Sequence, residues 1–151
     1  MARTGFSLKL DFEGLMKKVE EAQGNVDAAV LKAAKKCTDT MFDELVSEAT
    51  SANVPASIVS AIDKSIEKDG TSIVCRVGWE KPEKVDSNNL SVGQIAALLN
   101  YGVPARYTQK GAYRGKIAPR NFIKKAKGKA QRKILKTQED TLNEILGGLK
   151  K

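Results

Sequence analysis

The run IAALLNYGVPARYTQKGAYRGKIAPRNFIKKA, Ile95 to Ala126, sets the architecture of this 151-residue chain. It predicts a short helix, a sharp stop, a long basic loop and a second helix entered through Pro119, Arg120, Asn121 and Phe122. Just upstream, Ser91 and Gln94 have capping-box spacing, and Leu90 and Ile95 can form a hydrophobic staple around that cap. The first helix then runs from Val92 to about Tyr101. Gly102 supplies a left-handed C-terminal cap, and Pro104 blocks continuation. Residues 103–118 form a loop containing Tyr107, Gly111, Tyr113 and Gly115; a loop this long in a compact domain is functional or disordered. The final helix begins near Pro119. Its apolar positions are Phe122, Ile123, Ala126, Ala130, Ile134, Leu135, Leu142, Ile145, Leu146 and Leu149. Gly128 weakens it by about 1 kcal/mol relative to Ala, and Gly147-Gly148 end or loosen it.

The upstream half supplies the body on which this unit sits. Phe6, Leu8, Leu10 and Phe12 alternate with Ser7, Lys9 and Asp11, the period of a half-buried strand. Residues 13–23 read as a short helix ending at Gly24. Asn25 is a good N-cap with Asp27 favourably placed in the first turn that follows. Val30, Ala34, Cys37, Met41, Leu45 and Ala49 recur at spacings of three and four, predicting a long amphipathic helix over 26–51. Its other face carries Lys32, Lys35, Lys36, Asp39, Asp43 and Glu48. Pro55 opens a further helical stretch to about Ile62. Residues 63–68 are ambiguous between helix and strand. Asp69-Gly70 signals a turn, and Ile73, Cys75, Val77 and Trp79 alternate beyond it as the clearest strand of the chain. A hairpin with 63–68 follows, with the Phe6–Phe12 strand joining the same sheet. Residues 80–90 are a polar connection. The expectation is a single α+β domain over 1–151, a small antiparallel sheet packed on the long helix, with a helix–loop–helix C-terminal part.

Charge is segregated. Residues 1–86 hold 12 basic and 15 acidic side chains, whereas 87–138 hold 12 basic and none acidic. The net charge of +8 therefore comes from one stretch. A basic surface of this kind suits nucleic acid or an acidic protein partner, or is a solvated lysine face. Arg106, Lys110, Arg114 and Lys116 lie in the loop. Lys124, Lys125, Lys127, Lys129, Arg132, Lys133 and Lys136 surround the last helix, since at about 100° per residue they cannot share one narrow face.

Several chemistries are excluded or disfavoured. The chain has no histidine, which removes Ser-His-Asp and Cys-His nucleophile pairs and the commonest zinc ligand. No phosphate-binding glycine motif is present. Asp39 and Asp43, and Glu44 and Glu48, share helix faces four residues apart and read as solvated surface. Cys37 and Cys75 fall on apolar stripes and read as small buried hydrophobes rather than a disulfide. No enzyme activity, cofactor or metal is expected. No apolar run is long enough to span a membrane, and MARTGFSLKLDF lacks the apolar core of a signal peptide, so a cytoplasmic chain is expected.

Two parts of the opening stretch carry a resemblance: Ala96-Ala97-Leu98-Leu99-Asn100-Tyr101-Gly102, and Ile117-Ala118-Pro119-Arg120-Asn121-Phe122-Ile123 followed by Ala126. They resemble the phage tail-completion or neck family of long-tailed phages, the head–tail joining proteins similar in role to the lambda minor tail protein Z. That family shows an apolar helix ending in aromatic-Gly, a variable loop, and a Pro-Arg-Pro-Phe-like entry into a terminal helix. Here Asn100 stands where an acidic residue is often found, and Asn121 where a second proline is common. If that acid normally pairs with the motif arginine, Arg120 needs another partner.

The resemblance implies a structural virion protein assembled in the host cytoplasm. It implies a homo-oligomeric ring, usually hexameric, between a head-completion protein and the tail terminator or tail tube, with DNA passing through the lumen. Pro119, Arg120 and Phe122 would fix the loop–helix junction, Tyr101 and Gly102 would pack against it, and Arg106 belongs to the same motif. Lys110, Arg114, Lys116, Lys124, Lys125 and Lys127 would face DNA or an acidic partner. The loop would be mobile in the monomer and ordered by neighbours. The alternative is a small basic nucleic-acid-binding protein making nonspecific phosphate contacts.

Overall fold

A computed structural model of the chain describes residues 4–69, 72–79 and 91–149. Strand β1 (Thr4–Asp11) leads directly into helix α1 (Glu13–Glu21), with the fully buried Phe12 at the joint. Helix α2 (Val26–Ser51) begins where the sequence places its cap: Asn25 Oδ1 accepts from the Ala28 amide at 3.1 Å. Val30, Ala34, Cys37, Met41, Leu45 and Ala49 all point into the core, as the periodicity requires. Helix α3 (Ala56–Val59) is a single turn, shorter than the stretch to Ile62 that Pro55 suggested.

The ambiguous 63–68 segment is a strand, β2 (Asp63–Asp69), and it pairs antiparallel with β3 (Ser72–Trp79). Strand β1 also pairs antiparallel with β3, giving the order β1-β3-β2. Register pairs Leu8 with Cys75 and Cys75 with Ile66. The odd-numbered apolar residues of β3 therefore share the helix-covered face with Phe6, Leu8 and Leu10. Gly5 faces Gly78 at the end of this ladder, with φ of 128° and 149°. A Cβ on Gly5 would sit 2.2 Å from the Val77 carbonyl oxygen, and one on Gly78 2.0 Å from that of Thr4, so neither position accepts a side chain.

Helix α4 (Val92–Tyr101) carries the full capping box, with the Ser91 hydroxyl accepting from the Gln94 amide and the Gln94 side chain accepting from the Ser91 amide. Leu90, the other half of the expected staple, lies outside the described residues, as do Gly70 and the 80–90 connection. Helix α5 (Phe122–Leu149) is the longest element. It starts three residues after Pro119 and continues through Gly147-Gly148, which do not end it. These elements make an α+β fold: a three-stranded antiparallel sheet on a long helix, with α4 and α5 completing the C-terminal part.

Helices α2 and α5 run antiparallel, since α2 partners fall in number as α5 partners rise. Lys129 pairs with Glu48, Lys133 with Glu44, and Lys32 and Lys36 both with Glu144. Ala33, Ala34 and Ala49 on α2 and Ala126 and Ala130 on α5 are completely buried, and such small side chains let helix axes approach. Glu44 and Glu48, expected on a solvated face, are each only 8% exposed. The reason is that α5 lies over them and supplies a lysine to each. Leu135 shows the reverse error: expected on the apolar stripe, it is 74% exposed. It follows Ile134, which is buried, so a step of about 100° turns it off the seam. Cys37 and Cys75 are free and buried as expected. Burial raises both thiol pKa values; the neighbouring Cys75 raises that of Cys37 further, to about 12, whereas a hydrogen bond with Thr38 partly lowers that of Cys75. Neither is a nucleophile at neutral pH.

Candidate assembly junction and basic arm

The α4–α5 junction is built from backbone groups that need partners. The Asn100 carbonyl accepts from the amides of Arg120 and Asn121, at 3.2 and 3.1 Å. Its side-chain Oδ1 accepts from the Ile123 amide at 2.9 Å, in the first turn of α5. Asn100 therefore caps a helix 23 residues further along the chain. It is buried although polar, and its place in the apolar-looking run Ala96–Tyr101 gives no local sign of this role.

Both departures from the resemblance have a physical basis here. Asn121 has φ of 51°, which asparagine tolerates and proline, locked near −65°, cannot adopt. Its N–H is also needed by Asn100. A second proline is thus incompatible with this turn. Arg120 has its other partner: Nη1 donates to the carbonyls of Ala52 and Asn53, at 3.1 and 3.0 Å. These lie at the C-terminal end of α2, where a cation meets the negative end of the helix dipole. The entry to α5 is thereby tied to the exit of α2.

Phe122 is fully buried and meets Trp79 edge-on, with ring centroids 6.2 Å apart. The Trp79 Nε1 in turn donates to the Ile58 carbonyl at 2.8 Å. Gly102 has φ of 75°, and a Cβ there would lie 2.6 Å from the Ile117 carbonyl oxygen and 2.7 Å from the Pro119 nitrogen. Its ψ of 175° is extended, so the chain leaves α4 straight rather than curling into a left-handed cap. Pro119 is exposed. Tyr101 corrects the sequence reading: it is 68% exposed and does not pack into the junction.

Between Gly102 and Pro119 the expected loop is a hairpin-like arm. Val103 bridges Ile117, and Tyr107 bridges Tyr113. Arg106 donates to Gly115 and accepts from Arg114, while Thr108 accepts from Gly111 and donates to Ala112. Tyr107 and Tyr113 lie against each other at 5.6 Å between centroids, yet stay 65% and 57% exposed. Arg106, Lys110, Arg114 and Lys116 are exposed along the arm, and Lys124, Lys125 and Lys127 on the first turns of α5. Among the described residues no carboxylate pairs with any of these seven.

The structure thus divides the basic stretch. Lys129 and Lys133 are engaged by α2, and Glu48 holds the Lys129 ammonium above its ordinary pKa through their hydrogen bond. Among the described residues, the cations of the arm and of the first turns of α5 have no carboxylate partner, and neither do Arg132 and Lys136. The matched spacing of Glu44/Glu48 and Lys129/Lys133 was a readable signal for antiparallel pairing, but only once the two helices are placed together. Among the described residues no group of three or more acids and cysteines is arranged to hold a metal ion, and no helix is long and apolar enough to cross a membrane. No family model, curated protein or solved structure matches the chain.

Proposed function

We propose that the protein is a structural component of a phage head–tail junction, a tail-completion or neck protein that acts by assembling into a ring. The observation that supports this best is the construction of the Ile95–Ala126 unit. A junction with partnered polar groups holds out an arm whose three nearby tyrosines and four cations are exposed. A protein that works alone has little use for an arm of this kind; a subunit of an assembly does, because large exposed tyrosines bury well against a neighbour. In this reading the ring is a homo-oligomer, hexameric by resemblance. It sits between the head-completion protein and the tail terminator or tail tube in the virion, and DNA passes through it. The seven cations of the arm and the start of α5, which have no carboxylate partner among the described residues, meet acidic neighbours or the passing phosphates.

The test is direct. The purified chain, mixed with a connector and tail-tube preparation from the same particle, is examined by negative-stain microscopy and light scattering. Rings containing this chain are expected. Particles that complete their tails without incorporating it would overturn the reading.

One observation favours a second reading, nonspecific binding to nucleic acid: the tyrosine pair stands beside Arg106 and Arg114, and aromatic side chains can stack on bases. Duplex binding by the monomer that falls steeply between low and moderate salt would support it.

A further inference from the structure

A cleft of about 600 Å³ opens where β1, the end of α4 and the start of α5 meet. Along one wall lie four consecutive residues of β1, Thr4 to Ser7. A cavity over one face of a pleated strand meets every second residue. Four in a row, with Gly5 lacking a side chain among them, bring the cleft to main-chain atoms of β1, and Arg76 and Val77 of β3 line it as well. Among the described residues strand β1 has a neighbouring strand on one side only, since the sheet order is β1-β3-β2. Its other edge carries main-chain donors and acceptors able to pair with an incoming strand.

The cleft is also cationic. Lys124 and Lys127 line it from the first turns of α5, Arg76 lines it from the sheet beside its register partner Ser7, and among the described residues no acidic side chain does. Arg76 is already paired with Glu67. The two lysines have no carboxylate partner among the described residues. They also stand at the positive end of a long helix. The exposed Tyr101 forms part of the rim and offers an apolar surface for a side chain.

We propose that this cleft is a docking site for an extended acidic peptide segment of a partner protein, which adds as a fourth strand to the open edge of β1. Main-chain pairing supplies the affinity, as in other strand additions. Lys124 and Lys127 select for carboxylates on the incoming segment, and Tyr101 covers one of its apolar residues. The site rests on the cleft alone. Peptide binding and ring assembly therefore succeed or fail separately.

Amide chemical shifts of the isotopically labelled full-length chain, titrated with a capped (Val-Glu)3 peptide, test this. Saturable shifts are expected at residues 4–7 and 122–127. Capped (Val-Lys)3 should leave those amides unmoved. A form of the acidic peptide N-methylated at alternate residues, which cannot donate strand hydrogen bonds, should bind more weakly. The double variant K124E/K127E should lose about tenfold in affinity, with its thermal melt confirming the fold. Equal binding of the lysine peptide, undiminished binding of the N-methylated one, shifts confined elsewhere, or no shift at millimolar peptide would each overturn the proposal. So would an octathymidylate that moves these amides while the acidic peptide does not.

Discussion

The junction and the arm are adjacent in sequence and opposite in construction. At the junction, Asn100, Arg120 and Phe122 give their polar groups to backbone partners or bury their rings. In the arm, the hydrogen bonds run within the hairpin and the side chains face outward. One region stores its interactions inside the molecule and the other keeps them available. Substitutions should therefore separate the two: junction variants change stability, and arm variants change only what the protein can hold.

The largest expected effect is at Phe122. Phe122→Ala removes a fully buried ring and its edge contact with Trp79, and should cost about 3–5 kcal/mol by denaturant titration. An arm-sized loss there would erase the contrast. Asn121→Pro comes next, at about 3 kcal/mol, because it forbids the positive φ and deletes a needed N–H. Asn121→Gly, by contrast, should stay close to the parent protein in the same melt. Asn100→Ala should cost about 1–3 kcal/mol by leaving the Ile123 amide without its acceptor. Asn100→Asp keeps that acceptor and should recover most of the loss.

The paired arm substitutions Tyr107→Ala and Tyr113→Ala belong at the other end. Their melting curve should lie within about 0.5 kcal/mol of the parent's, while incorporation into particles is lost. Unaltered incorporation would show that the arm is not the contact. The smallest effect concerns acid. Lys36 first, and then Lys32, holds the Glu144 carboxyl down at about 2, below its ordinary 4.5. A depressed carboxylate contributes stability above its unfolded pKa and loses it as pH falls through the folded one. Stability should thus fall slightly from about pH 4.5 toward pH 2, and Glu144→Gln should flatten that part of the profile. The pair is exposed, so salt should weaken it too.

What the sequence makes legible follows the same division. The limits of α2, the alternation of β1 and β3 and the capping box of α4 are short-range patterns. Each is readable because the residues that cause it are close together. The site is less legible because its partners are distant. Asn100 reads as an anonymous helix residue until Ile123 is beside it. Glu44 and Glu48 flank Met41 and Leu45 on the inner side of α2, and only the docking of α5 turns them from surface acids into partners of lysines. Tyr101 misleads for the reverse reason: an aromatic at a helix end looks like packing, and nothing local shows that the chain turns it outward.

The antiparallel seam between α2 and α5 also bears on how the chain is made. Synthesis delivers the acids at 44 and 48 long before the lysines at 129 and 133. Until α5 emerges, the growing polypeptide carries an uncovered alanine stripe and two carboxylates without their counter-ions. The body cannot complete its packing from the N-terminal half, although the sheet and α2 are already present there. A ribosome-bound chain halted before residue 129 should remain open to proteases along α2, and the released full-length chain should not.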